Sequence, residues 1–103
     1  MTSRNNGYNA SLFDTEDGEC WKCHAVCDTA RHEVYYGTGT REQSKKAGLW
    51  VCLCPRCHAM VHSNPNDGLD AELKEIARKI YLRHHTEVEF RARFISGYVK
   101  GWE

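Results

Sequence analysis

Cys54-Pro55-Arg56-Cys57-His58, followed by His62, is the stretch whose reading decides the fold. Two cysteines two residues apart form a turn that presents both sulfurs to one metal ion, and zinc binds such thiolates tetrahedrally. A matching turn, Cys20-Trp21-Lys22-Cys23, lies upstream. Together the two turns supply four ligands, which predicts a structural zinc held by Cys20, Cys23, Cys54 and Cys57. Pro55 suits the first turn of a helix, and Asn64-Pro65 would end it. That places His58 and His62 at i and i+4, on one face of the helix.

Between the two knuckles, Ala30 to Tyr36 has the β-branched and aromatic bias of a strand, and it carries His32-Glu33. Gly37-Thr38-Gly39 then marks a turn. Thr40 with Gln43 forms a capping-box pattern and Gly48 stands where a helix would stop, predicting a short helix over 41–47. Leu49 to Leu53 is an apolar run of strand length. Residues 1–18 are rich in Asn, Ser, Gly and acid, and read as a flexible N-terminal tail in which Leu12-Phe13 docks.

Beyond Pro65 the pattern becomes helical. Asp67 can cap a helix with Leu69, Leu73, Ile76, Ala77 and Ile80 on one stripe. Thr86 and Glu89 form a second capping box ahead of Phe90, Phe94 and Ile95, with Gly97 closing that helix. Both stripes read as core. The expected architecture is small α+β, with a zinc-stabilised core over 19–66 and a helical extension over 67–103 packed on it.

At 103 residues the chain has the length of one domain, near the lower end of what a single core holds together, where a metal is a common staple. The first seven residues have no signal-peptide pattern, and no apolar run is long enough to span a membrane. The expectation is a cytoplasmic protein with reduced thiols, so six cysteines favour metal ligation over disulfides. Cys27 and Cys52 are left over. They read as small buried hydrophobes, with Cys52 an alternative ligand to Cys54.

Fourteen basic and fourteen acidic residues balance, so the chain as a whole is not a strongly basic nucleic-acid binder. The distribution is uneven. Before residue 31 acids dominate: Asp14, Glu16, Asp17, Glu19 and Asp28 against Arg4 and Lys22. From 31 to 66 bases dominate: Arg31, Arg41, Lys45, Lys46 and Arg56 against Glu33 and Glu42. The mild positive charge coincides with the histidines, where phosphate would be gripped.

Phosphodiester hydrolysis needs a base to activate water and a divalent cation to stabilise the developing charge. Imidazole suits the first task, and neutral imidazole with carboxylate suits the second. His32, Glu33, His58 and His62 provide these groups within a short span. His24, His84 and His85 read as ordinary surface histidines.

The run from Cys20-Trp-Lys-Cys23 through His-Glu-Val-Tyr-Tyr-Gly (His32 to Gly37), then Leu49 to His58 and Val61 to Asn64, resembles the HNH, or ββα-metal (His-Me finger), endonuclease superfamily. More narrowly, it is similar to phage-type recombination-enhancement nucleases described as RecA-dependent. The likeness covers roughly residues 19–97. It implies a zinc-braced ββα-metal core, a metal-dependent endonuclease acting on DNA, a catalytic Mg²⁺ or Mn²⁺ beside the structural zinc, and a RecA–DNA filament as partner in a host cytoplasm. Carried over by position, it implicates His32 and Glu33 from the strand, and His58 and His62 from the helix. Chemistry favours His32 as the base, with Glu33 joining His58 and His62 around the metal; the order of the motif favours the reverse. The central Asn of the motif has no equivalent, since Ala47 and Gly48 stand in its place. Arg31, Arg41, Lys45 and Lys46 would contact flanking phosphates.

Two other readings use the same residues. One is a non-catalytic zinc module that grips DNA or a protein. The other is an accessory protein whose terminal helices bind a partner, which exposure of Leu73, Ile76, Phe90 and Phe94 would favour.

Overall fold

His32 pairs with Val51 and Glu33 with Trp50 across an antiparallel two-stranded sheet, β1 (Ala30–Glu33) and β2 (Trp50–Leu53). The computed structural model describes residues 8–36 and 40–94. Around the sheet lie four helices: α1 (Thr40–Ala47), α2 (Pro55–Ser63), α3 (Gly68–Tyr81) and α4 (Glu87–Phe94). The chain is therefore a small α+β fold. The turn expected at Gly37 to Gly39, and Ile95, Gly97 and residues 1–7, lie outside the described residues.

Side chains alternate between the two faces of a strand, and both faces of this sheet are covered. Ala30, His32, Val51 and Leu53 share the face that meets the helices. Arg31, Glu33, Trp50 and Cys52 share the other. The N-terminal segment, expected as a flexible tail, covers that second face. The Asn9 N–H donates to Lys45 O at 2.9 Å, and the Leu12 N–H to Gly48 O at 2.7 Å. Ser11 Oγ donates to Trp50 O at 2.6 Å, the Trp50 indole donates to Asn9 O at 2.8 Å, and Phe13 is buried. Tyr8 sits edge-on to Trp50 at 5.3 Å. An indole and a guanidinium on a sheet face need both apolar cover and polar partners, and this segment supplies both. Gly48 makes the approach possible: its φ is +76°, and a Cβ there would lie 2.4 Å from Ala10 O.

β1 is shorter than the strand expected through Tyr36. The Tyr35 N–H and C=O turn aside to the Ser44 hydroxyl on α1, at 3.0 and 2.7 Å. α2 starts at Pro55 and is capped at Asn64, as its punctuation predicts. The Thr86–Glu89 box forms with reciprocal bonds of 2.8 and 3.1 Å. Leu73, Ala77, Phe90 and Phe94 are buried, and Tyr35 packs on Phe90 and Phe94 at 5.4 and 5.1 Å. The terminal helices thus spend their apolar stripes on the core, which removes the observation that a partner-binding helix needed. No helix among the described residues is long and apolar enough to cross a membrane.

Candidate metal centre

The two knuckles meet at the end of β2. The first is fixed there because the Trp21 N–H donates to Cys52 O at 2.7 Å. Within it the Cys23 N–H points at Cys20 Sγ at 3.4 Å, and within the second the Cys57 N–H points at Cys54 Sγ at 3.4 Å. Cys54 thereby caps α2 with its own side chain. The Cys57 amide holds the Cys54 thiol below its ordinary range, which favours the thiolate a metal binds. The four sulfurs lie within 4.8 Å of one another. Zn–S bonds of about 2.3 Å in a tetrahedron set sulfurs about 3.8 Å apart, and Cys23 Sγ and Cys54 Sγ are 3.7 Å apart. Four cysteines so placed could hold a zinc ion. Cys52 stays outside this group, with its thiol donating to Asp17 Oδ1 at 3.3 Å on the second face of the sheet. Burial raises that thiol first, and the aspartate raises it further. Cys54 lies past the end of β2, as the N-cap of α2, and it is Cys54, not the alternative Cys52, that joins the other three sulfurs.

A second group lies on the helical face of the sheet. His32 from β1 and His58 and His62 from α2 bring one ring nitrogen each to within 4.8 Å of the others. The ring centroids of His32 are 5.2 and 5.3 Å from those of His58 and His62. Two imidazoles bound at about 2.0–2.1 Å to one tetrahedral ion have their nitrogens about 3.3–3.4 Å apart. His58 Nε2 and His62 Nε2 are 3.2 Å apart. His32 is buried and its Nε2 has no partner. Burial first, then the charges of His58 and His62, push the His32 imidazole down to about 4. Burial and then His62 lower His58 as well. Neutral imidazoles with converging lone pairs are a metal-ready set.

Glu33 does not join this group. It neighbours His32 in a strand, so its side chain leaves by the opposite face. There its Oε2 accepts from the Tyr8 hydroxyl, and its Oε1 lies 3.6 Å from the Arg41 guanidinium. The expectation that Glu33 coordinates beside His58 and His62 while His32 acts as base therefore runs against the strand geometry. The convergent set is three histidines.

The basic residues expected to meet phosphate divide in two. Arg31 donates to both Asp17 oxygens, at 3.1 and 2.8 Å, and stacks over Trp50 and Tyr8. Lys45 pairs with Glu42 at 3.4 Å and lies over the Tyr8 ring. Both serve the fold. Arg41 is exposed beside Glu33, and Lys46 is exposed with no ion pair among the described residues.

No family model matches the chain, and neither a curated protein nor a solved structure is found to be similar to it.

Sequence reasoning passed over Tyr36. Its ring stands edge-on to both His32 and His62, at 5.5 and 5.2 Å. In the sequence it stands only as part of a β-branched and aromatic strand pattern and of the His32 to Gly37 motif.

Proposed function

We propose that this protein is a metal-dependent endonuclease of the HNH type that hydrolyses DNA phosphodiester bonds. The observation that carries the reading is the convergence of His32 from a strand with His58 and His62 from the following helix, beside a four-cysteine group able to brace that helix. A closed site and a second, three-ligand site next to each other divide structural from chemical work, since a catalytic ion keeps positions for water or substrate. The motif order noted in the sequence supports the same reading.

His32, His58 and His62 hold the ion. When bound, it would act as a Lewis acid on a phosphoryl oxygen. Three imidazoles favour zinc or another imidazole-seeking ion over Mg²⁺ or Mn²⁺, which prefer oxygen ligands. With His32 engaged as a ligand and Glu33 on the sheet's second face beside Tyr8 and Arg41, neither of the two is placed to serve as the base beside the ion. Arg41 and Lys46 remain to meet flanking phosphates, which gives affinity without sequence readout. Dependence on a RecA–DNA filament belongs to this same reading.

The role assignment is tested with zinc-loaded Glu33→Gln and His58→Ala proteins. Glu33→Gln is expected to keep both ions and DNA cleavage, whereas His58→Ala loses the second ion and cleavage together. Loss of cleavage by a Glu33→Gln protein that keeps both ions would assign the base to Glu33 and contradict this placement.

A further inference from the structure

A cleft of about 330 Å³ opens where the C-terminal ends of α1, α3 and α4 meet the N-terminal segment. That volume is in the range of small-ligand sites. Leu12, Ala47 and Ile80 give it apolar surface, and Lys46, His84 and Arg93 give it basic side chains. No acidic residue lines it, and none of its lining residues belongs to the histidine or cysteine groups. Lys46, His84 and Arg93 have no side-chain hydrogen-bond or ion-pair partner among the described residues. Leu12 is 55% exposed, an uncovered apolar side chain at the edge of this cleft.

Lys46 stands in the last turn of α1 and Arg93 in that of α4, where a cation offsets the helix dipole. That accounts for a charge at each helix end. It does not account for their convergence on one cleft free of carboxylates, while a second cleft beside the first knuckle is lined by Asp14, Glu16, Glu19 and Glu72. Tyr81 supplies a further observation. It lines the basic cleft and is buried, yet its hydroxyl has no partner. His85 stacks on its ring at 4.0 Å and Phe94 meets it edge-on at 5.2 Å. Burial raises this hydroxyl above its ordinary range, and Arg93 acts against that rise. A buried donor without an acceptor costs free energy, and an anion seated against Arg93 would satisfy it.

We propose that this cleft binds the phosphate monoester of a nucleotide: Lys46, Arg93 and the Tyr81 hydroxyl hold the phosphate, and Leu12, Ala47 and Ile80 receive the base. A phosphate monoester carries a charge of about −1.5 to −2 near neutral pH and three terminal oxygens. Lys46, Arg93 and Tyr81 offer two cations and a hydroxyl donor from three different helices, which matches that charge and that number of acceptors. A carboxylate, with one charge and two oxygens, would leave one of them unmatched. A sugar phosphate would set hydroxyls against Leu12, Ala47 and Ile80, whereas a base brings a flat, largely apolar face and can stack on the exposed His84 ring. A free nucleotide and the phosphorylated end of a nucleic-acid strand present this same chemistry. The cleft goes beyond the endonuclease reading, and failure of that reading would leave it standing.

The test titrates deoxyadenosine 5′-monophosphate, deoxyadenosine and inorganic phosphate into full-length protein zinc-filled at the cysteines, with no further metal added. Binding is followed by calorimetry and by the His84 ring resonances. The nucleotide is expected to saturate a single site and to bind more tightly than either fragment. Arg93→Gln removes an exposed cation and Tyr81→Phe removes only a hydroxyl; each should weaken binding by about tenfold, the loss of one hydrogen bond to a charged group. Lys79→Gln, which removes a cation of α3 paired with Glu75 outside the cleft, should bind as the wild type does. Absence of saturable binding in the wild type would overturn the proposal. So would wild-type affinity in Arg93→Gln or Tyr81→Phe, or an equal loss in Lys79→Gln. If Tyr81→Phe fails to fold, the exposed Arg93 still decides. Displacement of the nucleotide by a single-stranded oligonucleotide with a 5′-phosphate, but not by its hydroxyl-ended counterpart, would assign the strand end as the source. Displacement by neither would assign the free nucleotide, and equal displacement by both would overturn the monoester reading.

Discussion

Cys57→Ser should unfold the protein, and the magnitude can be worked from the four-cysteine geometry. A domain of this size has a net stability of about 5–15 kcal/mol. Structural zinc contributes about 10–16 kcal/mol to small zinc-binding peptides near neutral pH. The 3.7 Å separation of Cys23 and Cys54 sulfurs already matches a zinc tetrahedron, so little of that energy is lost to rearrangement. The site also pins three elements at once: the first knuckle through the Trp21 amide, the end of β2, and the start of α2. Losing the ion therefore removes a quantity as large as the whole net stability. Thermal melts followed by circular dichroism would compare zinc-loaded wild type, chelator-treated wild type and Cys57→Ser, with metal content measured in each. The expected result is one cooperative transition for the loaded protein and none for the other two. A zinc-free protein melting at the same midpoint as the loaded one would refute the reasoning.

Four further outcomes follow from particular contacts. Cys27→Ser should leave zinc content and melting midpoint unchanged, because Cys27 lies outside the four-sulfur group; loss of zinc would put it among the ligands. Gly48→Ala should destabilise by at least about 1–2 kcal/mol from the left-handed backbone alone, and by more from the contact with Ala10 O; a wild-type denaturation midpoint would show that the segment from Tyr8 to Phe13 is not seated on the sheet. Leu73→Ala, at a fully buried position of α3, should cost about 2–5 kcal/mol in chemical denaturation, and a loss well under 1 kcal/mol would mean α3 packs loosely. Thr86→Ala should cost about 1 kcal/mol by removing the reciprocal cap of α4, and an unchanged stability would place that cap in fraying ends.

Much of the site was legible because its signals are local. Cys-x-x-Cys turns, a proline at a helix start and histidines one turn apart need no knowledge of distant chain. The strand pair around His32 and the Thr86–Glu89 cap were legible on the same grounds. The docking of Tyr8 to Phe13 was not, since it depends on Trp50 and Arg31 presenting an indole and a cation on the sheet's second face, and a polar segment carries no periodicity to announce that. The burial of Asp70 was hidden for a different reason: an acid in the first turn of a helix ordinarily serves the helix dipole, and only tertiary packing encloses it. The opposite directions of His32 and Glu33 were available from strand alternation. Reasoning from the chemistry of bases and hard ligands overrode that signal.

The most direct measurement of the central claim is cleavage of supercoiled plasmid and single-stranded DNA by wild type and His62→Ala. Both proteins would be zinc-filled at the cysteines and supplied with Zn²⁺, Mn²⁺ or Mg²⁺, with and without RecA–DNA filaments. The account predicts metal-dependent cutting by the wild type, lost in a folded His62→Ala that retains its cysteine-bound zinc. Cutting by His62→Ala, or none by folded wild type carrying both ions under any of these conditions, would contradict it.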